Sequence, residues 1–506
     1  MKLRSLVAAL FISQTIAAFA EDSKPYAVAS LPTLLDLSYD SLKRPSGKEN
    51  LGLIGVNLNA DIYKGIYAGV GGYGAAQGDL GGLFILGIDG GYRHQILKNT
   101  WFDVGSFIGG GGAHHDSDDT SGTNSGFMSR EHLGFSQVFF NTFSLGIDYS
   151  YVNYPDYDIH SYQWGILFTL PGNFLTGSPT YQGAKVTDLN EVSSPANIGF
   201  YKSFVSAYQE TYFTDTNEAM QLAGMKYGAY FQPHTYVGLS TAGSYDSTQN
   251  GYMDLYLLLG HDFHITDPLF IYTELQSGMG GGGNTNTGGG LIYKPMIGVG
   301  YDITTNFGLR LGGGYMKATG GDFEGPVAEL GAYYNFLNST SCYICHEDAG
   351  SNHYYFSGWR VGIMNERYDH PQRSNGVSDN KNIDLVTINL DKMLNDYAYF
   401  SGQATSAYGG NAGSYATGLL GPGIQTSEYH RVRLLADLMV GAAGGGAIDV
   451  GRGAIYQPEI GLSVTLSEKI SWVTKLGRMR SFDGSLDTNT LSTGIQFNIT
   501  TLQEER

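Results

Sequence analysis

The sequence predicts an all-β fold: antiparallel transmembrane β-barrels in three tandem eight-stranded repeats. Three observations predict it. First, Leu291-Ile-Tyr-Lys-Pro-Met-Ile-Gly298 recurs 163 positions later as Ala454-Ile-Tyr-Gln-Pro-Glu-Ile-Gly461. The glycines ahead of each copy keep the same offset, Gly278, Gly281, Gly282 and Gly283 against Gly441, Gly444, Gly445 and Gly446, and a weaker third copy carries Gly109 to Gly112. Self-similarity at a fixed spacing means one structural unit written repeatedly. Second, windows of period-two alternation recur, each about the 9–11 residues that a membrane strand needs. Third, 73 glycines and 37 tyrosines accompany a charged fraction of only 15%, against about 25% in ordinary globular chains.

The elements follow in order. The second repeat holds eight windows, beginning near Ile198, Met220, Tyr236, Tyr252, Phe270, Leu291, Phe307 and Val327. The first repeat gives a matching eight from near Leu34 to Leu170, and the third gives eight from near Phe356 to Ile499. In Phe307 to Tyr315 one face reads Phe307, Leu309, Leu311, Gly313, Tyr315, and the other Gly308, Arg310, Gly312, Gly314. Apolar residues outside with small or polar ones inside is the barrel pattern. Short connections (Gln232-Pro233-His234, Thr304-Thr305-Asn306, Ser467-Glu468-Lys469) alternate with long polar ones (Ser41 to Asn50, Ala113 to Gly126, Asn365 to Lys381). The short set is assigned to the periplasm and the long set to the outside.

Each repeat closes on an aromatic-rich strand, Trp164 to Leu170, Leu330 to Phe336 and Leu491 to Ile499. These strands resemble the C-terminal targeting strand of bacterial outer-membrane proteins, which commonly ends in Phe. The closest match, Gly331 to Phe336, is internal, and nine residues follow Phe497 at the actual end. The resemblance is to the broad class of outer-membrane β-barrel proteins, with no specific family. It implies a Gram-negative outer membrane, surrounding lipid and lipopolysaccharide, and insertion by the barrel assembly machinery.

Lys2 and Arg4 precede the apolar stretch Leu6 to Ile12, and Ala18-Phe19-Ala20 offers small residues for cleavage, so residues 1–20 read as a secretory signal peptide. The remaining organisation reads as barrel repeat 1 over 31–170, a periplasmic linker over 171–195, repeat 2 over 196–336, a linker over 337–353 and repeat 3 over 354–500. A net charge of −18 argues against nucleic acid as a partner. No later apolar run reaches the roughly 20 residues of a membrane helix.

Twenty-four strands can close as one wide barrel or as three of eight. The long inter-repeat segments favour three, because a continuous barrel has no need to break its own turn pattern. Interior charges favour three as well. Asp103, Glu274 and Asp437 align in the fifth strand of each copy, and Asp89 and Asp262 align in the fourth, all with inward parity. Arg93, Arg310, Arg433 and Lys475 are inward bases that can pair with them. Eight strands leave an interior just wide enough for side chains, where an unpaired charge is costly. These charges read first as structural pairs and second as a polar lumen or proton path.

The only cysteines form Cys342-Tyr-Ile-Cys345-His346 in the second linker, the spelling of c-type haem attachment. His353 or Met364 is then the candidate second axial ligand. A disulfide and a Cys–Cys–His metal site are the alternatives, and no cofactor is the leading expectation. His114, His115 and Asp116 head an acidic loop that reads first as solvated and second as a divalent-cation site. Tyr149 to Ser161 loosely resembles the lipid A deacylases, which use a Ser–His pair near the outer rim, here His160 and Ser161, but that signature is incomplete. No phosphate loop or repeated nucleophile–base pair is present, so the chain is not read as an enzyme.

The function expected from these readings is a structural, adhesive or scaffolding role in the outer membrane. The rivals are a 24-stranded pore or export channel, a periplasm-facing redox component with one haem, and a Gly-rich secreted matrix protein.

Overall fold

The computed structural model describes residues 26–44, 49–80, 82–113, 125–139, 143–186, 202–213, 219–247, 251–282, 285–304, 306–337, 354–374 and 381–504. The signal-peptide segment, the Cys342–His346 motif with His353, and the loop bearing His114, His115 and Asp116 lie outside these residues.

Barrel 1 is built from β1 (Ala29–Leu42), β2 (Leu51–Tyr63), β3 (Ile66–Gln77), β4 (Phe84–Leu97), β5 (Thr100–Gly112), β6 (Ser125–Phe139), β7 (Phe143–Tyr154) and β8 (Ile159–Gly177). Each strand pairs antiparallel with the next, and β1 pairs back onto β8 from Ala29↔Thr176 to Asp40↔Gly165, which closes the barrel. A two-residue strand, β9 (Lys185–Val186), follows.

Barrel 2 is β10 (Lys202–Phe213), β11 (Ala219–Tyr230), β12 (Thr235–Asp246), β13 (Met253–His264), β14 (Leu269–Gly281), β15 (Leu291–Asp302), β16 (Phe307–Ala318) and β17 (Glu324–Leu337), closed by β10 on β17. Barrel 3 is β18 (Tyr354–Tyr368), β19 (Ile383–Met393), β20 (Ala398–Ala407), β21 (Ala416–Gln425), β22 (Val432–Gly444), β23 (Ala454–Ser467), β24 (Ile470–Ser481) and β25 (Asp487–Glu504), closed by β18 on β25. The fold is thus three eight-stranded barrels in tandem, and the 24-stranded alternative is excluded by the three closing ladders.

Hairpin turns follow local chemistry. Between β2 and β3, Lys64 and Gly65 both take positive φ (47° and 88°), the two-residue turn whose twist matches the flanking strands. The segment after Leu170 is not a free linker from its start. β8 continues to Gly177, where its end pairs with Thr500 and Thr501 of β25, and β9 pairs with Tyr354 and Tyr355 of β18. Barrel 1 is therefore stitched to barrel 3 by backbone hydrogen bonds, because sheet edges that outrun their own barrel find partners in the neighbour.

At the end carrying the longer connections, the barrels meet in cyclic order. The β3–β4 connection of barrel 1 lies on the glycine run of β14, where a Cβ at Gly281 would stand 2.7 Å from Gly82 N. The β12–β13 connection of barrel 2 lies on the run of β22, where a Cβ at Gly444 would overlap Gly251 Cα. The β20–β21 connection of barrel 3 lies on the run of β5, where a Cβ at Gly110 would come 2.5 Å from Tyr408 Cβ. The third-to-fourth-strand connection of each barrel thus seats on the fifth strand of the next. The repeated glycines allow backbone to approach backbone.

Inside, each barrel is layered. The outer end holds an apolar plug: Leu53, Tyr73, Ile85 and Phe107 in barrel 1, Met220, Leu222, Ile292 and Phe323 in barrel 2, and Leu385, Tyr415, Met439 and Ile455 in barrel 3. Charged groups occupy the levels below. A second regularity lies beneath the plugs, where Tyr67 faces Gly91, Tyr236 faces Gly260 and Tyr399 faces Gly423 across neighbouring strands. Each tyrosine ring covers the space its glycine leaves open.

The seam makes a prediction. Gly444→Val adds a side chain where Gly251 already sits and should lower unfolding free energy by about 1–3 kcal/mol. Gly418→Val, with nothing within 4 Å of its Cβ position, should leave stability unchanged. Thermal unfolding of the two purified variants checks the contrast.

Candidate functional site

The interior of barrel 2 is a column of charge built by strand parity. Arg310 on β16 reaches Asp262 at 3.3 Å and Glu274 at 3.2 Å. Its guanidinium is ringed by Phe204, Tyr236, Phe270, Tyr272 and Tyr333, between 4.6 and 5.4 Å from the ring centroids, a cation–π cage in a desolvated setting. Nearer the outer end, Lys226 joins Glu274 (2.7 Å) to Glu329 (3.1 Å). Above that, Lys294 pairs with Glu210 at 2.7 Å and donates to the Tyr212 hydroxyl at 3.2 Å, which in turn donates to Asp254. Every ion here is bridged to its neighbours, as burial of charge demands.

Barrel 3 uses different residues for the same purpose. Lys475 on β24 lies 2.9 Å from Asp437 and 3.4 Å from Glu459. Arg360 lies 2.9 Å from Asp391 over the ring of Tyr399. Glu366 accepts from Thr387, Gln403 and Gln457. In barrel 1, Arg130 bridges Asp40 at 2.7 Å and Asp148. His132 stands 2.6 Å from Asp103, which also accepts from Tyr67.

The structure places the sequence-derived residues as follows. Asp89, Asp103, Asp262, Glu274, Arg310, Asp437 and Lys475 are all buried inside their barrels. The three fifth-strand acids are not at one level, however. Glu274 faces Gly260 and Asp437 faces Gly423, but the residue facing Gly91 in barrel 1 is Gly105, and Asp103 sits two positions lower opposite Arg93. Asp89 and Asp262 likewise differ by four positions, with Asp89 facing Phe107 and Asp262 facing Tyr272. Even shifts preserve parity, so the acids point inward although the proposed alignment between copies 1 and 2 slips.

Arg433 is a correction. It has inward parity but lies at the rim, half-exposed and paired with Glu428. Arg93 is partly exposed and donates to Ser136. Met364 packs inside barrel 3 with Leu435 and Val473 and is not placed to ligate a group outside it. His160 and Ser161 are adjacent on β8 and so project to opposite faces, with His160 exposed and Ser161 buried. They cannot act as a pair.

Sequence reasoning missed Lys226, Lys294, Glu210, Glu329, Arg130, Asp40, Asp148, Arg360, Asp391, Glu366 and Glu459. Parity could have found most of them: Lys226 shares a face with Met220, Leu222, Gly224, Gly228 and Tyr230 on β11, the face that turns inward. Among the described residues no group of three or more His, Cys, Asp or Glu side chains is arranged to hold a metal ion.

Outside, the barrels carry an apolar surface of the kind soluble proteins hide. Trp164, Ile166, Leu311, Leu330, Ile460 and Leu476 are each more than half exposed. Closed antiparallel barrels with an outward apolar belt define this chain as an outer-membrane β-barrel protein.

No protein-family model matches the chain, and no curated protein matches it. Among solved structures it is similar to the ferric enterobactin receptor of Pseudomonas aeruginosa in complex with enterobactin, with 9% identity, 94% of this chain and 82% of that chain covered, and a TM-score of 0.31. It is also similar to the siderophore receptor PirA of Acinetobacter baumannii, with 8% identity, 94% and 81% covered, and a TM-score of 0.30. The pyoverdine-bound FpvA of P. aeruginosa follows, with 10% identity, 92% and 71% covered, and a TM-score of 0.28. The first two are named as siderophore or ferric enterobactin receptors. The expected structural, adhesive or scaffolding role is corrected on this finding and set aside.

The buried networks make a prediction. Lys226→Met strands Glu329 and leaves Glu274 with Arg310 alone, and should cost about 3–5 kcal/mol. Lys317→Met, which removes an exposed partner of Glu324, should leave the unfolding midpoint unmoved. Denaturant unfolding followed by tryptophan fluorescence checks both.

Proposed function

We propose that this protein is an outer-membrane receptor that meets its ligand on the shared outer rim and passes nothing through its barrels. The apolar plug in the outer end of each barrel carries this reading. A water-soluble solute entering any barrel meets a packed apolar layer and then a narrow interior crossed by buried charged side chains.

The rim of barrel 3 is the best-built recognition surface among the described residues. Arg373 knits its connections together by donating to the carbonyls of Gly410, Asn411 and Gly446. Asn411, Ser414 and Ala447 are held at positive φ between 52° and 63°, a conformation that surrounding contacts must enforce. Phe482 stands exposed beside Tyr456 at 5.1 Å between ring centroids, with Arg480 and Asp487 paired close by at 3.0 Å. An exposed aromatic on a rigid, charged frame is the composition of a binding hot spot.

Two measurements test the reading. In planar bilayers the purified protein should give no conductance steps. In Phe482→Trp, added ferric enterobactin or another bulky ferric chelate should quench the rim tryptophan saturably, and Arg373→Ala in that background should weaken the response about tenfold. Stable conductance steps, or no saturable quenching by any chelate tried, would overturn it.

A further inference from the structure

Barrel 1 differs from its two siblings in one respect. Barrels 2 and 3 each place lysine ammonium groups on interior carboxylates: Lys226 and Lys294 in the first case, Lys475 in the second. By ladder register, Asn57 stands in barrel 1 where Lys226 stands in barrel 2. Asn57 lies between Asp36 and Gly71, as Lys226 lies between Ser206 and Ser240. No described lysine enters barrel 1.

A cavity of about 20 Å³ occupies this region, lined by Asp36, Asp89, Asp103, Asn57 and Ser38 together with Arg93, Arg130 and His132. That is room for one water-sized particle. Arg130 is committed to Asp40 and Asp148. The three lining carboxylates are therefore left with Arg93 and His132, which is one positive charge short even with His132 protonated.

The donors around the lining are already spent, Thr169 giving its hydroxyl to Asp36 at 2.6 Å. Asn59 gives its amide hydrogens to Asp36 (3.1 Å) and Asp89 (2.7 Å), and Asn57 gives one to Tyr73 at 3.2 Å. The Tyr67 hydroxyl is spent on Asp103. Of the lining residues, Asn57 Oδ1 and Ser38 Oγ, on side chains more than nine-tenths buried, have no hydrogen-bond partner among the described residues. Oxygen acceptors converging on a space with a net negative charge fit an occupant that is small, cationic and hard.

We propose that this cavity binds one monovalent cation, sodium by size, held by Asp36 and Asp89 with the amide and hydroxyl oxygens of Asn57 and Ser38 and not by a cluster of three acids; it does in barrel 1 what a tethered lysine ammonium does in barrels 2 and 3. Asp36 and Arg93, both partly exposed, mark the side from which the ion enters.

The full-length protein in detergent is unfolded thermally in NaCl, KCl or choline chloride at constant ionic strength. Sodium should raise the midpoint saturably over choline, by about 3 °C. Asp89→Asn should abolish that sodium response. Asn57→Lys, which supplies the ammonium covalently, should do the same while raising the midpoint in choline. Crystals soaked in thallium(I) should show an anomalous peak among Asp36, Asp89 and Asn57. Equal midpoints in all three salts, a sodium response that persists in Asn57→Lys, or a thallium map without a peak would overturn the proposal. A carboxyl proton or a plain water in the cavity would produce the first and third of these results. If Asp89→Asn fails to fold, the Asn57→Lys and thallium arms decide the matter.

Discussion

An eight-stranded barrel has no room for solvent to complete what its side chains leave undone. Its diameter is set by strand number and tilt, so each inward group must fit, and each inward charge must meet its complement inside the same narrow cylinder. The rest of this structure follows from that constraint. Glycines alternate with large tyrosines across neighbouring strands, as at Tyr67–Gly91, Tyr236–Gly260 and Tyr399–Gly423, because two bulky residues cannot share a level. Most interior acids have arginine, lysine or histidine beside them, and others such as Glu366 are wrapped in neutral donors, because an isolated buried ion is the most expensive thing such an interior can hold.

The three copies meet this requirement with different residues. Barrel 2 encloses Arg310 in five aromatic rings, barrel 3 uses Lys475, and barrel 1 uses Arg130 with His132. The repeated unit is therefore a backbone and a parity pattern, not a set of ion-pairing residues. What does recur at fixed offsets is the glycine run at the outer end of the fifth strand, and its duty is external. It lets each barrel receive a connection of the one before it in the cycle, so that three narrow barrels acquire one continuous rim.

That division bears on function. Interiors this full argue for barrels that hold a surface rather than a passage, and the surface with the most constrained backbone is the outer end of barrel 3. There Arg373 ties separate connections together through their carbonyls. Residues in left-handed conformations such as Ala447 persist only where neighbouring contacts outweigh their local cost.

The sequence by itself determined the strand content, the inward parity and the threefold repetition. These are local properties, since period two and turn chemistry are written in consecutive residues, and Phe307 to Tyr315 shows both faces of β16 without reference to any other strand. It also determined that the repeated glycines mattered, though not why, because a close approach between barrels leaves no trace within one strand. Only the tertiary structure decided the relative level of the interior acids. A slip of two or four residues keeps every parity intact, so Asp103 and Glu274 look equivalent along the chain and are not equivalent in the ladder. It alone decided that Arg433 sits at a rim while Lys475 sits in a core, and that Asn57 occupies the position of Lys226. Such facts depend on which strands close on which, and closure joins residues more than a hundred positions apart, where no local pattern reaches.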